Sequence, residues 1–198
     1  MYATVHDIDG VPGPQDRGWV DAVLIALRSR AVPAGALVAA PLGMDPGCVV
    51  ALWDEEPDPA GPAGGFTTGR VTVRASAPYE VTGRRAGTSG GPARFLQLTV
   101  FTGRSPEWCT AYDRAGEERI WPAVRDVPGV VETVLGGNAT GDRVAVVLAE
   151  SVDALEATVA AIMSTELLPW EDPANMTGPD GARVLRLLHA DLPAGATR

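Results

Sequence analysis

The sequence contains no lysine, only two cysteines and only two histidines among its 198 residues. Without lysine, a phosphate-binding loop of the type GxxxxGK[ST] cannot form. Two cysteines supply neither a disulfide framework nor a zinc site, and two histidines exclude a histidine-rich metal centre. Cys48 and Cys109 fall in a predicted strand and a predicted helix, where we expect buried thiols. We therefore expect no metal site and no bound cofactor.

Clustered positive charge is also missing. The basic residues, all of them arginine, number 16 against 25 acidic residues, and the net charge is −9. Nucleic-acid binding needs a concentrated basic surface, so we expect no nucleic-acid partner. No apolar run is long enough to span a bilayer, and the start, MYATVHDIDG, lacks the basic and apolar regions of a signal peptide. We expect a cytoplasmic protein without a membrane partner.

What the sequence does contain is an internal repeat. The segments VPAGALVAAPLGMDPGCVVALWDE at 32–55 and VPGVVETVLGGNATGDRVAVVLAE at 127–150 share one pattern. Each has Val-Pro, an apolar strand, a turn with glycine, a second apolar strand and an acidic end, which predicts a β-hairpin. An offset of 93–95 residues also aligns YATVHDIDG at 2–10 with FLQLTVFTG at 95–103, so that Gly10 meets Gly103. The chain is therefore predicted to hold two copies of one unit.

The first copy is predicted to contain a single helix. After its hairpin, EEPDPAGPAGGFTTG at 55–69 carries prolines and glycines that exclude a stable helix. RVTVRASAPYEV at 70–81 is predicted as one strand. The helix that precedes the hairpin is indicated by an apolar stripe at helical spacing, formed by Trp19, Val20, Val23, Leu24 and Leu27.

The second copy is predicted to contain two helices. Ser105 is the expected N-cap of the first, with Pro106 at its first position, and Gly116 and Pro122 weaken or kink it. Ser151 caps the second, and ARVLRLLHADL at 182–192 is the last strand, which completes a β-α-β-β-α-β order of the ferredoxin-like type. The apolar stripe of the second helix is predicted at Val152, Leu155, Val159, Ile162, Met163 and Leu167.

These elements predict an α+β fold of two ferredoxin-like halves in tandem, forming a pseudo-dimeric α+β barrel in which the first half lacks its second helix. The predicted divisions are 1–83 for the degenerate half, 84–92 for a linker and 93–198 for the complete half. Packing two apolar sheets on each other hides strand edges that would otherwise promote association. Self-association beyond this internal pair is left open.

The plan resembles the antibiotic biosynthesis monooxygenase type domain of the dimeric α+β barrel superfamily. The likeness rests on the two hairpin segments quoted above and on the amphipathic helix that follows the second. It implies a cofactor-independent monooxygenase or related oxidoreductase acting on an aromatic, polyketide-like molecule, whose anion itself supplies an electron to oxygen. Two alternatives are a non-catalytic small-molecule-binding or scaffold protein of the same fold, and a cyclase or isomerase acting on a polyketide-type substrate.

The resemblance also implies ligand-binding positions in the first copy. Family members often end the third strand on a tryptophan, and Trp53 occupies that place, whereas Leu148 does so in the second copy. Several members hold a ligand through a polar side chain of the first strand, at the place of His6 and Thr99. Haem-degrading relatives need an iron-binding histidine on the second helix. Because 151–168 contains no histidine, haem degradation is not expected.

The candidate substrate-binding site is the space between the sheet and the helices of the second copy, where apolar walls would carry a few polar groups. Its candidates are Gln97 and Thr99 on the first strand and Trp108 and Tyr112 on the first helix. Tyr112 is the expected proton donor, and no catalytic residue is assigned. The simpler interpretation is that Trp108 belongs to the ordinary hydrophobic core. For His6, it is that the side chain has no role in function.

Overall fold

The structure is a computed structural model that describes residues 1–12, 16–43, 46–58, 61–175 and 177–194. Its contacts define two compact units: a first unit of Met1–Thr82 with residues 184–194, and a second unit of Gly83–Arg183. In chain order the main elements are β1 (Tyr2–Asp9), α1 (Gly18–Arg30), β2 (Gly35–Pro41), β3 (Gly47–Trp53), β4 (Phe66–Thr68), β5 (Val71–Val73), β6 (Pro78–Ala86), β7 (Phe95–Phe101), α2 (Pro106–Ala115), a π-helical turn (Gly116–Ile120), α3 (Trp121–Val124), β8 (Val130–Gly137), β9 (Arg143–Ala149), α4 (Val152–Met163) and β10 (Gly181–Asp191).

The first unit is an antiparallel sheet covered by α1. Strand β3 pairs with β1 and β2, β10 pairs with the other edge of β2, and β1 also pairs with β5 and β6. The predicted apolar stripe of α1 is confirmed, since all five of its residues are buried. They pack with one face of β1 and β3 and form the core of this unit.

A short hairpin stands where the second copy has its second helix. Strands β4 and β5 form it, and Val71 and Val73 are each 1% exposed within the core. Helix α1 is the only helix among the described residues of this unit, as the prolines and glycines of 55–69 predict. The predicted single strand at 70–81 is wrong, because β5 ends at Val73 and β6 starts at Pro78. The break lets the carbonyl of Arg74 accept a hydrogen bond from His6.

One arginine holds the segment before that hairpin. The guanidinium group of Arg30, at the end of α1, donates hydrogen bonds to the carbonyl oxygens of Gly61, Gly64 and Gly65 at 3.0, 3.3 and 3.2 Å. It also lies 4.9 Å from the centre of the Phe66 ring. A planar guanidinium group suits this combination of several acceptors and one aromatic face.

The second unit is built on the sheet β7–β9–β8, in which both pairings are antiparallel. The two hairpins predicted by the repeat are therefore present, one in each unit. One face of this sheet is closed, with Leu96, Leu98, Val146 and Leu148 at most 2% exposed. The other face meets the helices, where Val147 packs in one cluster with Trp121, Ile162 and their neighbours.

The first helical segment of the second unit starts as predicted and changes pitch in its middle. Ser105 accepts a hydrogen bond from the backbone N–H of Trp108 at 3.2 Å, and Pro106 occupies the first turn. The helix widens into the π turn at Gly116 and resumes as α3, with Pro122 in its first turn. Gly116 has low helix propensity and Pro122 has no N–H to donate, so the α-helical ladder is interrupted where the sequence predicts a kink.

Helix α4 is confirmed, but its predicted buried face is wrong at three positions, while Leu155 is buried and Ile162 packs against the core as predicted. Ser151 caps it by accepting a hydrogen bond from the N–H of Ala154 at 3.1 Å. The buried residues are Ala154, Leu155 and Thr158, whereas three predicted core residues are 43%, 79% and 38% exposed: Val159, Met163 and Leu167. The helix lies so close to Gly129 that a Cβ there would sit 2.9 Å from that of Ala154. A small side chain therefore faces inward in place of a large one.

The last strand is present at the predicted place and pairs with β2 in the first unit, where the sequence assigned it to the second half. Strand β6 runs to Ala86, into the predicted linker 84–92, and the N–H groups of Gly87 and Ser89 donate to Val131 and Val130. The tandem divisions at 1–83 and 93–198 stay predictions. Within the described residues, no helix combines the length and the apolar character needed to cross a bilayer.

Candidate functional site

Strand β7 carries the two polar site candidates on its helix-facing side. Gln97 and Thr99 alternate with Leu96 and Leu98, and alternation places the two pairs on opposite faces. Leu96 and Leu98 are 0% and 1% exposed, while Gln97 and Thr99 remain partly exposed. The Nε2 atom of Gln97 lies 3.5 Å from Oγ1 of Thr99. Both side chains therefore retain hydrogen-bonding capacity for another partner.

The layer between this sheet face and the helices is not sealed. Val147 and Ala145 lie opposite Gln97 and Thr99 on β9, and both are partly exposed. Leu135, opposite Ala145 on β8, is also partly exposed. Accessible apolar surface with two polar groups is the composition of a small-molecule site.

Three aromatic rings lie at one end of this layer. Trp108 and Tyr112 stack with their ring centres 4.9 Å apart and their planes at 15°. Phe101, at the end of β7, contacts both rings at 5.2 and 5.0 Å. The indole N–H of Trp108 donates to the carbonyl oxygen of Asn175 at 2.8 Å. Trp108 is partly exposed, so it forms a wall of the layer as well as part of its packing.

The Tyr112 hydroxyl keeps its proton at neutral pH. Burial raises the pKa of Tyr112 to about 12, with a further increase from the charge of Asp113, which the nearby Arg143 partly offsets. The phenol therefore stays protonated and cannot serve as a base. Within the described parts of the chain, this hydroxyl has no hydrogen-bond partner.

Arg104 is a residue that the sequence analysis missed. Its guanidinium carbon lies 5.3 Å from the centre of the Trp108 ring and 5.8 Å from that of Phe101. One nitrogen donates to Asp180 at 3.0 Å and to the carbonyl of Gly178 at 3.3 Å. Its Nε is buried without a partner among the described residues. No local pattern distinguishes Arg104, because its contacts are more than 70 residues away in sequence or depend on the packing of α2.

A cleft of about 450 Å³ opens beside the start of α2. Cys109 contacts the carbonyl of Gly141 in its wall, and Arg143 is bound to Asp113 at 2.8 Å. The turn from Asn138 to Asp142 is also tied together by its own hydrogen bonds. The polar groups of the cleft thus mainly satisfy one another.

The first-unit candidates lie inside a packed core. Trp53 is 4% exposed, and its indole N–H donates to the hydroxyl of Thr4 at 3.1 Å. His6 is fully buried, with Nδ1 2.8 Å from the carbonyl of Arg74, and burial lowers its pKa although that hydrogen bond raises it. Its Nε2 has no partner among the described residues. The structure thus places His6 opposite Val49 and Trp53 opposite Tyr2 on the paired strands β1 and β3, and it places Gln97 and Thr99 on the face of β7 that also carries Phe101.

The donor set does not fit haem or a metal ion. The second unit contains no histidine, so α4 offers no iron ligand, and His6 points into a closed core. Among the described residues, no group of three or more histidine, cysteine, aspartate or glutamate side chains could hold a metal ion.

Comparison with solved structures shows the fold. The chain is similar to an anthrone oxidase-like protein (TM-score 0.55, 14% identity, 98% of this chain and 96% of that chain). It is also similar to a candidate monooxygenase from Fusobacterium nucleatum subsp. nucleatum (TM-score 0.55, 11% identity, 94% of this chain and 90% of that chain). A third similar structure is that of a major regulator of staphylococcal pathogenesis (TM-score 0.54, 11% identity, 93% of this chain and 98% of that chain). No family model and no curated protein sequence matches the chain.

These likenesses confirm the predicted fold class. The chain has the α+β fold of the dimeric α+β barrel proteins. At 14% identity or less, the comparison establishes the fold and carries no residue of the site across.

Proposed function

We propose that the second unit binds a planar aromatic small molecule and oxidises it with dioxygen, without a bound cofactor. The observation that supports this most directly is that Gln97 and Thr99, both partly exposed, lie on the sheet face that also carries Phe101. Stacked rings of Trp108 and Tyr112 at its end provide flat apolar surface for an aromatic ligand. The names of two structural neighbours, anthrone oxidase-like protein and monooxygenase, suggest the same class of reaction.

The chemistry needs a substrate that forms a stable anion. An anthrone-type ketone loses a proton from its central CH2 group, and the delocalised anion transfers one electron to O2. The resulting radicals combine to form a C–O bond, and cleavage of the O–O bond then releases water. In total, the CH2 group becomes a C=O group, one oxygen atom enters the product, and the other leaves as water with the two protons. The reaction consumes one O2 and no external reductant.

The residues of this layer would bind the substrate and stabilise its anion. Gln97 and Thr99 would donate hydrogen bonds to substrate oxygens, and the protonated Tyr112 would donate to the oxygen that carries the negative charge. The guanidinium group of Arg104, above the aromatic rings, adds positive charge that favours the anion. The first proton would pass to solvent, since the layer is accessible to water.

The test is oxidation of anthrone by the purified protein, measured as O2 uptake and quinone formation. Binding of 2-hydroxyanthraquinone, a stable planar phenol, is measured in parallel. Tyr112→Phe and Gln97→Leu should each weaken binding about five- to tenfold, as expected for one lost hydrogen bond of roughly 1–1.5 kcal/mol. Tyr2→Phe, in the first unit, is the matched control. The proposal fails if anthrone is oxidised no faster than in buffer and neither second-unit variant alters binding while the fold is retained.

A second candidate is a non-catalytic binding protein of the same fold. It is favoured by the lack of a histidine base in the second unit and by the protonated state of Tyr112, while the nearby Asp113 carboxylate is paired with Arg143. Similarity to a protein named as a regulator agrees with it. Binding of 2-hydroxyanthraquinone with the expected variant dependence, but without O2 uptake, would support this candidate. The geometry gives no specific support to the cyclase or isomerase alternative.

A further inference from the structure

The segment between α4 and β10 lies along α2 in the opposite direction. We name residues 164–175 and 177–180 the strap. Its first part, from Thr165 to Glu171, contacts the end of α2 and the π turn, and its later part contacts the start of α2. The contacts are Thr165 with Arg119, Trp170 with Arg114 and Glu118, Glu171 with Arg119, Asn175 with Trp108, and Asp180 with Arg104, which precedes α2.

The strongest of these contacts is a buried ion pair. Arg119 and Glu171 have side chains that are 6% and 4% exposed, and the Nε of Arg119 lies 2.8 and 3.1 Å from the two carboxylate oxygens. Arg119 also donates to the hydroxyl of Thr165 at 2.7 Å, and Glu171 accepts from the N–H of Leu168 at 2.7 Å. Burial raises the pKa of Glu171, but these hydrogen bonds outweigh it and hold the pKa below its usual range.

The rest of the strap is held with little apolar burial, since Leu168 and Trp170 are only partly buried. None of its described residues is buried as a whole, and its apolar Leu167 is 38% exposed. Trp170 lies on the surface, where Arg114 is 4.1 Å from its ring centre and Glu118 accepts its N–H at 3.0 Å. Segments with few buried apolar contacts open locally at a smaller cost than global unfolding. The strap up to Asn175 can therefore detach once the ion pair breaks, while Asp180 at its far end stays bound to Thr102 and Arg104.

The strap also fixes one wall of the aromatic site. The carbonyl of Asn175 accepts the indole N–H of Trp108, and Trp108 stacks on Tyr112. We propose that the strap is a gate over the helix–sheet layer of the second unit, latched by Arg119 and Glu171. When the latch opens, the Asn175 carbonyl leaves the indole, Trp108 becomes free to rotate, and a planar molecule can enter. The aromatic nature of that molecule rests on the proposed function; the gate itself does not.

Access to the layer can be measured without any ligand. A reporter thiol introduced by Thr99→Cys is labelled with N-ethylmaleimide and quantified by peptide mass spectrometry, which separates it from Cys48 and Cys109. Glu171→Gln keeps the shape of the latch and removes its charge, while Asp126→Asn removes the exposed pair with Arg125 elsewhere in the unit. We expect Glu171→Gln to speed labelling at least fivefold and Asp126→Asn to leave it unchanged. Thr165→Val is a milder latch variant, expected to speed labelling about twofold.

Amide hydrogen exchange shows whether the latch has opened. If exchange in the strap rises in Glu171→Gln while the labelling rate equals that of Asp126→Asn, the strap is not a gate. If exchange in the strap does not rise in either latch variant, Arg119 and Glu171 are not the latch. Either result overturns the proposal.

Stopped-flow binding of 2-hydroxyanthraquinone separates this proposal from the proposed function. Opening the gate in Glu171→Gln should raise the association and dissociation rates by a similar factor, at least fivefold, and leave Kd within about threefold. Unchanged rates overturn the gate. Absence of binding to the wild-type protein contradicts the proposed function only, because thiol labelling still decides whether the strap controls access.

Discussion

Helix α4 allows a quantitative test of which face is buried. Leu155 is 1% exposed, whereas Val159, one turn further on, is 43% exposed. Leu155→Ala removes three carbon atoms from the core at roughly 0.8 kcal/mol each, or about 2.4 kcal/mol. The cavity left behind adds to this, so we expect a loss of about 3–4 kcal/mol in the free energy of unfolding. Val159→Ala should cost less than about 1 kcal/mol, since its side chain is half solvated already.

Introducing a charge at Val159 tests the same assignment. If Val159 pointed into the core, as the helical period of the sequence predicts, Val159→Asp would bury a carboxylate without a partner and lower the free energy of unfolding by several kcal/mol. At its observed exposure, Val159→Asp should cost no more than about 1 kcal/mol. The assay is urea unfolding, with hydrogen exchange of second-unit peptides to assign the transition. Equal losses for Leu155→Ala and Val159→Ala, or a loss of about 3 kcal/mol for Val159→Asp, would refute the assigned orientation.

Three further predictions concern other positions. Gly103 and Gly141 have φ of +60° and +84°, but only at Gly141 would an added Cβ meet backbone, 2.0 Å from the carbonyl oxygen of Arg104. Thermal unfolding should show that Gly103→Ala lowers the free energy of unfolding by about 1 kcal/mol. Gly141→Ala should lower it by at least about 2 kcal/mol more. Burial lowers the pKa of His6 below 6.5 in the folded protein. As the pH drops below about 6.5, the imidazole is therefore protonated in the unfolded chain before it is protonated in the folded one, and the free energy of unfolding falls. His6→Leu should reduce that slope by up to about 1.4 kcal/mol per pH unit in urea titrations at pH 7.5 and 5.5. Absorbance titration at 295 nm should show no ionisation of Tyr112 between pH 9 and 11, and Tyr112→Phe should leave the signal there unchanged.

The elements of the fold could be predicted because their signals are local. Apolar strands, turn glycines and N-caps define the hairpins, and the internal alignment pairs Gly10 with Gly103. Both glycines follow the first strand of their copy and have φ of +70° and +60°. Equivalent backbone conformation at aligned positions is what a structural repeat implies.

What the sequence could not predict depends on distant contacts. The face of α4 is set by its close approach to Gly129, which favours the small Ala154 over the larger Val159. The break after β5 leaves the Arg74 carbonyl to accept a hydrogen bond from His6, 68 residues away in sequence, and no local pattern indicates this contact. In the candidate site, alternation along β7 correctly grouped Gln97 and Thr99 on one face. Arg104 has no such pattern, since its partners are brought to it by the strap.

The Arg30 contacts in the first unit concentrate most of the side-chain attachment of one segment in a single residue, beside the buried Ala63, whose carbonyl accepts from the N–H of Ser76. A docked helix distributes its attachment over several residues, so losing one leaves the others in place. Here a single exposed guanidinium group holds three glycine carbonyls and one ring. Lysine could not replace it, because a point charge does not match that set of acceptors. The segment is therefore mutationally fragile, and in an Arg30→Lys variant the glycines around Gly64 should be the first site at which a protease cuts the chain.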